Sequence, residues 1–293
     1  LKWIIQEEQD GMLVRDYLMS VRAFSRSLVK TVKMEGQILL NENPVTVRSY
    51  LAEGDRLEVR FPPEKRGRHL QPVHKPVEVL YEDDEAIVLN KPACLATIPS
   101  IHNLEDTLAN RLMAYYDQQG IQSTAHIVTR LDRDTSGIVL VAKNRYIHSI
   151  LGRGQENNEI HRTYLAVVEG QLKEKEGTIR YPIGRKPGSI IERMVDLEEG
   201  KLAVTHYQVL QSIGERSLVQ VRLETGRTHQ IRVHFSHIGH PLLGDSMYGG
   251  KLGEIERQAL HCCSISFVHP SSKETIEIEA ESPEDMNLLR DIL

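Results

Sequence analysis

Hydrophobic and polar positions follow two rhythms along this chain, and the changes of rhythm divide it into three parts. Residues 1–60 open with a polar lead-in, loose or a short strand over 1–11, and then turn helical. Leu13, Tyr17 and Leu18 recur at helical spacing with Val14 beside them. Ser25 stands where a cap would open a second helix, with Leu28, Val29 and Val32 on its buried side and Gly36 at its end. Short strands are expected at Ile38–Asn41, Val45–Val47 and Leu57–Val59, with turns at Asn41–Pro44 and Glu53–Asp55. Residues 61–76 lose both rhythms. Pro62, Pro63, Pro72 and Pro76 alternate with Lys65, Arg66, Arg68, His69, His74 and Lys75. That composition makes a semi-stiff basic linker, suited to touch a polyanion or to act only as a tether.

From residue 77 to 293 the pattern is dominated by strands. Ala86–Leu89, Ile138–Ala142, Glu159–Glu169, Ala203–Leu210, Leu218–Leu223, Cys262–Val268 and Thr275–Ala280 read as strands. Helices are expected after Asn103 and Asp106, with Leu104, Leu108 and Leu112 on one face and an end near Gly120. Shorter ones are expected around Ile147–Leu151, over Thr228–Ile238 with Gly239 as the stop, and after Ser282-Pro283. Residues 171–201 read as a charged, Gly/Pro-punctuated excursion. No strand–helix–strand rhythm runs through this part, which points to an α+β domain with a large mixed or mostly antiparallel sheet.

The densest polar stretch is Thr129-Arg130-Leu131-Asp132-Arg133-Asp134-Thr135-Ser136-Gly137, set directly before the apolar run Ile138–Ala142. A polar loop on a rigid strand is a common home for functional groups. It is also what a turn with mutually paired charges looks like. Asp134 is expected to close the loop by bonding Thr135 or Ser136. Gly137, at the junction, suits a tight turn or close backbone approach. A second cluster follows at Glu224-Thr225-Gly226-Arg227-Thr228-His229-Gln230-Ile231-Arg232.

Charge changes the picture of the front. The 293 residues carry a formal net charge of −5, yet residues 1–76 hold 13 Lys/Arg against 10 Asp/Glu. A basic front on an acidic chain suggests local contact with a polyanion. Arg22, Arg26, Lys30 and Lys33 would lie on or near one helical face. A solvated helix face is the plain alternative. The three cysteines, Cys94, Cys262 and Cys263, form no Cys-x-x-Cys pair and are odd in number, which argues against a disulfide framework or a zinc site. No paired base is in view for Cys94 as a nucleophile. No apolar run approaches 18 residues, so no membrane association is expected, and the expected setting is a reduced cytoplasm. No unpaired apolar helical stripe asks for a second copy, so a monomer is expected.

Taken together, Arg130-Leu131-Asp132 and Gly226-Arg227-Thr228-His229-Gln230-Ile231-Arg232 resemble the two active-site segments of the RluA/RluD group of pseudouridine synthases. Lys91-Pro92 resembles the opening segment of that catalytic domain, and Arg162-Thr163-Tyr164 its third segment. Residues 12–60 resemble the S4-type RNA-binding domain. Two departures stand out: Cys94 where a glycine is more usual, and Thr129 where many relatives have histidine.

The resemblance implies a pseudouridine-synthase-like α+β catalytic domain behind a small S4-like α/β unit. It implies isomerisation of uridine in RNA without a cofactor or metal. Asp132 would be the essential carboxylate, acting at the ribose as nucleophile or base. Arg232 would pair with it, gripping the carboxylate through two parallel donors. Tyr164 would stack on the flipped uracil. Arg130 would enter the RNA helix in place of the removed base. Arg227, His229 and Gln230 would support the site or meet phosphates, and Arg22, Arg26, Lys30 and Lys33 would line the backbone. Large-subunit ribosomal RNA is the favoured partner. A synthase acting on transfer RNA and a non-catalytic RNA-binding or ribosome-assembly factor remain open.

Overall fold

The computed structural model describes residues 1–62, 64, 66–100 and 105–287. The front of the chain builds a four-stranded antiparallel sheet. Its strands are β1 (Lys2–Ile4), β2 (Gln37–Leu40), β3 (Asn43–Pro44) and β4 (Arg56–Arg60), in the order β1-β4-β2-β3. Against it lie α1 (Val14–Asp16), which widens into a π turn at Tyr17–Val21, and α2 (Arg26–Glu35). Ser25 caps α2 by accepting from the Leu28 amide at 3.1 Å, and Leu28, Val29 and Val32 are buried as their spacing requires. Val45–Val47 is not a strand. The β2–β3 hairpin is only two residues long on its second arm, turning through Asn41 and Glu42 at φ 50° and 70°.

The described residues of 61–76 are tied to the part that follows. The Asn110 side chain donates to the carbonyls of His69 and Gln71, each at 2.8 Å. Arg66 pairs with Asp117 at 2.7 Å and Lys75 with Asp106 at 2.7 Å. Glu64 holds both His126 and Arg145. The front sheet is also tied in, because Phe24 packs on Tyr146 with ring centroids 4.7 Å apart and Trp3 meets the same ring edge-on at 6.3 Å.

The rest of the chain forms a ten-stranded sheet with helices alongside. Its strands are β5 (Glu78–Glu82), β6 (Ala86–Lys91), β7 (His126–Ile127), β8 (Ser136–Ala142), β9 (Ile160–Glu169), β10 (Glu176–Arg180), β13 (Val204–Ile213), β14 (Arg216–Leu223), β15 (Leu260–Val268) and β16 (Thr275–Glu279). A separate hairpin, β11 (Ile183–Arg185) with β12 (Arg193–Val195), fills the excursion. The main path runs β10-β13-β14-β9-β15-β8-β6-β5, with β16 on β15 and β7 on β8. Among the described strands every pairing is antiparallel except β8 with β15. That parallel join rests on Gly137. It sits at φ +111°, and a Cβ there would lie 2.2 Å from the Cys262 carbonyl oxygen.

All seven residues of β8 are buried, as a continuous branched apolar run at a sheet centre should be. The first helix of this part, α3 (Leu108–Gln119), starts later than the sequence suggests. Thr107 caps it, and Gly120 ends it in the left-handed region. The expected Asn103 cap and Leu104 lie outside the described residues. Next come α4 (Arg145–Glu156), longer than expected, and α5 (Gln230–His237). Among the described residues no helix is long and apolar enough to cross a membrane.

Candidate active site

A cleft of about 630 Å³ opens where the loop before β8, the middle of β9 and the start of α5 converge. The loop is held rigidly from below. Lys91, fully buried at the end of β6, donates to the carbonyls of Pro92 (2.9 Å), Leu95 (2.7 Å) and Arg133 (3.0 Å). Three acceptors suit an ammonium group. Burial opposes that charge and brings the Lys91 pKa down to about 7, although Asp134 and Asp132 pull the other way. Thr97 bridges both backbone groups of Leu131, and Arg257 reaches the Asp134 carbonyl at 3.3 Å. Thr129 accepts from the Leu140 amide, so the hydroxyl anchors the loop to β8.

Asp132 extends from this loop into the cleft, partly exposed. Arg232 Nη1 donates to its Oδ2 at 3.2 Å. The two-donor grip expected for this pair goes elsewhere. Arg232 Nε and Nη2 clasp Asp245 at 2.7 and 2.9 Å, and the guanidinium lies over the Tyr248 ring at 4.9 Å. Burial alone would discourage charge on Arg232. The two carboxylates outweigh it and raise its pKa. Asp245 is 2% exposed. Its loop is pinned by Gly244 and Gly250, where a Cβ would fall within 2.1 Å of a backbone oxygen. Sequence reasoning missed Asp245 and Tyr248. Their only signal was the glycine-rich setting of the loop.

Tyr164 lines the cleft from β9, 4% exposed and in register with Cys262 of β15. Burial is the main reason its hydroxyl holds its proton far more tightly than usual, and the charge of Asp132 adds to it. The Arg162 guanidinium stands 5.9 Å from its ring centroid.

The remaining expected site residues divide. Arg130 lines the cleft and is exposed. Arg227 is exposed with its Nε donating to the Leu202 carbonyl at 3.0 Å. His229 is inside, with Nε2 3.7 Å from Asp132 Oδ2. Gln230 is 2% exposed and its amide is fully used. It accepts from Thr225 and the Arg227 amide and donates to Val204 and Thr205, so it shapes the turn and has nothing left for a substrate. Asp134 does not close the loop as expected, because Thr135 bonds Gln258 and Ser136 bonds His261. Cys94 is exposed and has φ +60°, a left-handed conformation that accounts for glycine being more usual there. On the front unit, Arg26, Lys30 and Lys33 are exposed along α2. Arg22 is not with them. It donates to the Tyr17 hydroxyl at 2.7 Å and stacks between the Trp3 and Tyr17 rings.

The cleft gathers a partly exposed aspartate, a buried arginine and a buried tyrosine, and comparison with known proteins supplies the class of enzyme. Residues 85–237 match the family described as RNA pseudouridylate synthase. The chain is 45% identical to an uncharacterised RNA pseudouridine synthase, YjbO, of Bacillus subtilis, over 95% of this chain and 98% of that one. It is 37% identical to the ribosomal large subunit pseudouridine synthase D of Xanthomonas campestris, over 92% of this chain and 85% of the relative. Among solved structures, human RNA pseudouridylate synthase domain containing 1 superposes with a TM-score of 0.60 at 26% identity, covering 75% of this chain and 87% of that one. The chain therefore belongs to the RNA pseudouridine synthase family, of the RluA/RluD type, and is an enzyme acting on RNA.

Proposed function

We propose that this enzyme converts specific uridines of large-subunit ribosomal RNA to pseudouridine through Asp132, without a cofactor. The observation that carries the reading is the Asp132 carboxylate standing in the cleft between Arg232 and Tyr164. The reaction breaks the bond from uracil N1 to ribose C1′, turns the base, and joins C5 to the same carbon. It needs a carboxylate at the sugar, as nucleophile or as base for a ribose proton, and no electron acceptor. The base must first leave the stack. Tyr164 offers it an aromatic face and a hydroxyl that can donate, and exposed Arg130 can fill the gap left behind. The front unit is proposed to be an S4-like RNA-binding domain. Arg26, Lys30 and Lys33 would follow the phosphates, and Arg22 would hold the fold together beneath them. The ribosomal target is supported by the 37% identity to a relative named for the large ribosomal subunit.

The test is tritium release from RNA labelled at uracil C5, with pseudouridine confirmed in the product. Ribosomal, transfer and precursor-particle RNA are offered separately to wild type and to Asp132→Asn. Release from ribosomal RNA or its precursor particles is expected, reduced more than about 10³-fold in the variant, as for the loss of a reacting group. An equally active Asp132→Asn protein overturns the catalytic role. Release confined to transfer RNA overturns the substrate.

A further inference from the structure

His229 is the strained residue of the site. It opens α5 at φ 56° and ψ 21°, left-handed backbone that residues other than glycine rarely adopt. The imidazole is only 10% exposed, and both its nitrogens are accounted for. Nδ1 lies 2.7 Å from the Tyr248 hydroxyl. That hydroxyl already accepts the backbone N–H of Arg193, at the start of β12, at 3.0 Å. Its own proton is then free to go to Nδ1, which pairs best as the unprotonated nitrogen. In that tautomer the remaining proton sits on Nε2, which lies 3.7 Å from Asp132 Oδ2, beyond hydrogen-bond length but within electrostatic reach.

We propose that His229 is a positioning residue, fixed by Tyr248 in the Nε2–H form so that it turns an N–H, not a basic nitrogen, toward Asp132. This rests on Asp132 being the reacting carboxylate. Burial is the main force keeping a second proton off the ring, and Arg232 and Arg193 add to it. Asp132 and Asp245 oppose it without prevailing, and Tyr248 already occupies Nδ1. Arg232 Nη1 and His229 Nε2 converge on the same oxygen, Oδ2. Among the described residues Oδ1 accepts no hydrogen bond, so the geometry leaves Oδ1 as the oxygen that meets the ribose. A loop, a hairpin and a helix start thus act together to choose which oxygen of one carboxylate reacts.

Nitrogen-15 labelling of the histidines reads the tautomer directly, on the intact protein and without RNA. The Nε2–H form is expected for His229 between about pH 6 and 8, where an ordinary imidazole would titrate. In Tyr248→Phe the signal should shift toward a mixture of forms. In that variant kcat should fall about tenfold, the worth of one hydrogen bond. KM should stay within about twofold, as for a group that acts on the reacting atoms more than on binding. His229→Gln, whose amide N–H reaches the same place, should recover most of the kcat lost in His229→Ala. An Nδ1–H form or an imidazolium at neutral pH in wild type overturns the proposal. So does a folded His229→Gln protein no more active than His229→Ala. Because the tautomer needs no substrate, failure to turn over RNA would count against the catalytic role of Asp132 alone.

Discussion

The cleft around Asp132 and the outer face of α2 are both rich in cations, and they are built in opposite ways. Beneath and around the cleft, the buried polar side chains are committed to other protein groups. Arg232 serves two aspartates, Lys91 three carbonyls, and Gln230 four partners. Along α2, Arg26, Lys30 and Lys33 are exposed, and none has an ion-pair partner among the described residues. Committed groups cannot rearrange, so they fix geometry and act on the rate. Uncommitted cations adapt to a phosphate chain and act on affinity, with a strong dependence on salt. On the proposed roles, the two tasks are separated by how the arginines and lysines are partnered, not by how many there are.

The sharpest way to break that contrast is to loosen the cleft. Asp245→Asn removes one carboxylate from a buried fork, so Arg232 loses most of its compensation. Stability should drop by about 3–5 kcal/mol, the usual cost of breaking a buried pair. Urea unfolding measures this, and tritium release should fall with it. An unchanged midpoint would mean that Asp245 does not hold the guanidinium. A second effect, spread over several pH units, concerns Lys91, whose folded pKa of about 7 lies below the ordinary lysine value. Below pH 7 folded and unfolded chains both hold the proton, and the burial penalty is in full force. Above it the unfolded chain binds more protons, so stability gains up to about 1.4 kcal/mol per pH unit until the ordinary lysine range is reached. Lys91→Met should flatten that slope in unfolding curves taken on either side of neutrality. A slope equal to that of wild type would remove Lys91 as its source.

On the other side of the contrast, Arg26→Ala with Lys30→Ala should weaken RNA binding. It should also reduce the slope of log affinity against log salt by about 1.4–1.8, for two lost phosphate contacts. Filter binding across a salt series checks this, and an unchanged slope makes those residues only surface charge. The smallest effect belongs to Arg22→Ala. Its stacking on Trp3 and Tyr17 predicts a loss of about 0.5–2 kcal/mol in stability with the salt slope intact. A changed slope with unchanged stability would return Arg22 to the RNA face.

Local features were legible in the sequence wherever they depend on neighbours along the chain. Ser25 and Gly36 bound α2 where expected, Gly120 ends α3, and the run Ile138–Ala142 is the buried heart of β8. Periodicity and capping need no knowledge of distant residues. The family resemblance also drew the polar clusters together, and the structure brings Asp132, Tyr164, His229 and Arg232 into one cleft. Val45–Val47 failed because a short branched run does not become a strand without a partner at the right register. The helix start near Asn103 could not be separated from Thr107 by spacing alone.

Local pattern alone sets the caps and turns, the buried strand that carries the loop, and the residue types offered to the cleft. With 36 basic and 41 acidic side chains, it could not determine which charge meets which. The fork of Arg232 goes to Asp245, Arg22 turns inward to two rings, and the basic linker is laced to α3. Only tertiary structure decided those pairings. They follow from where the chain's path brings distant backbones together, as it does at the parallel join of β8 with β15 beside Gly137.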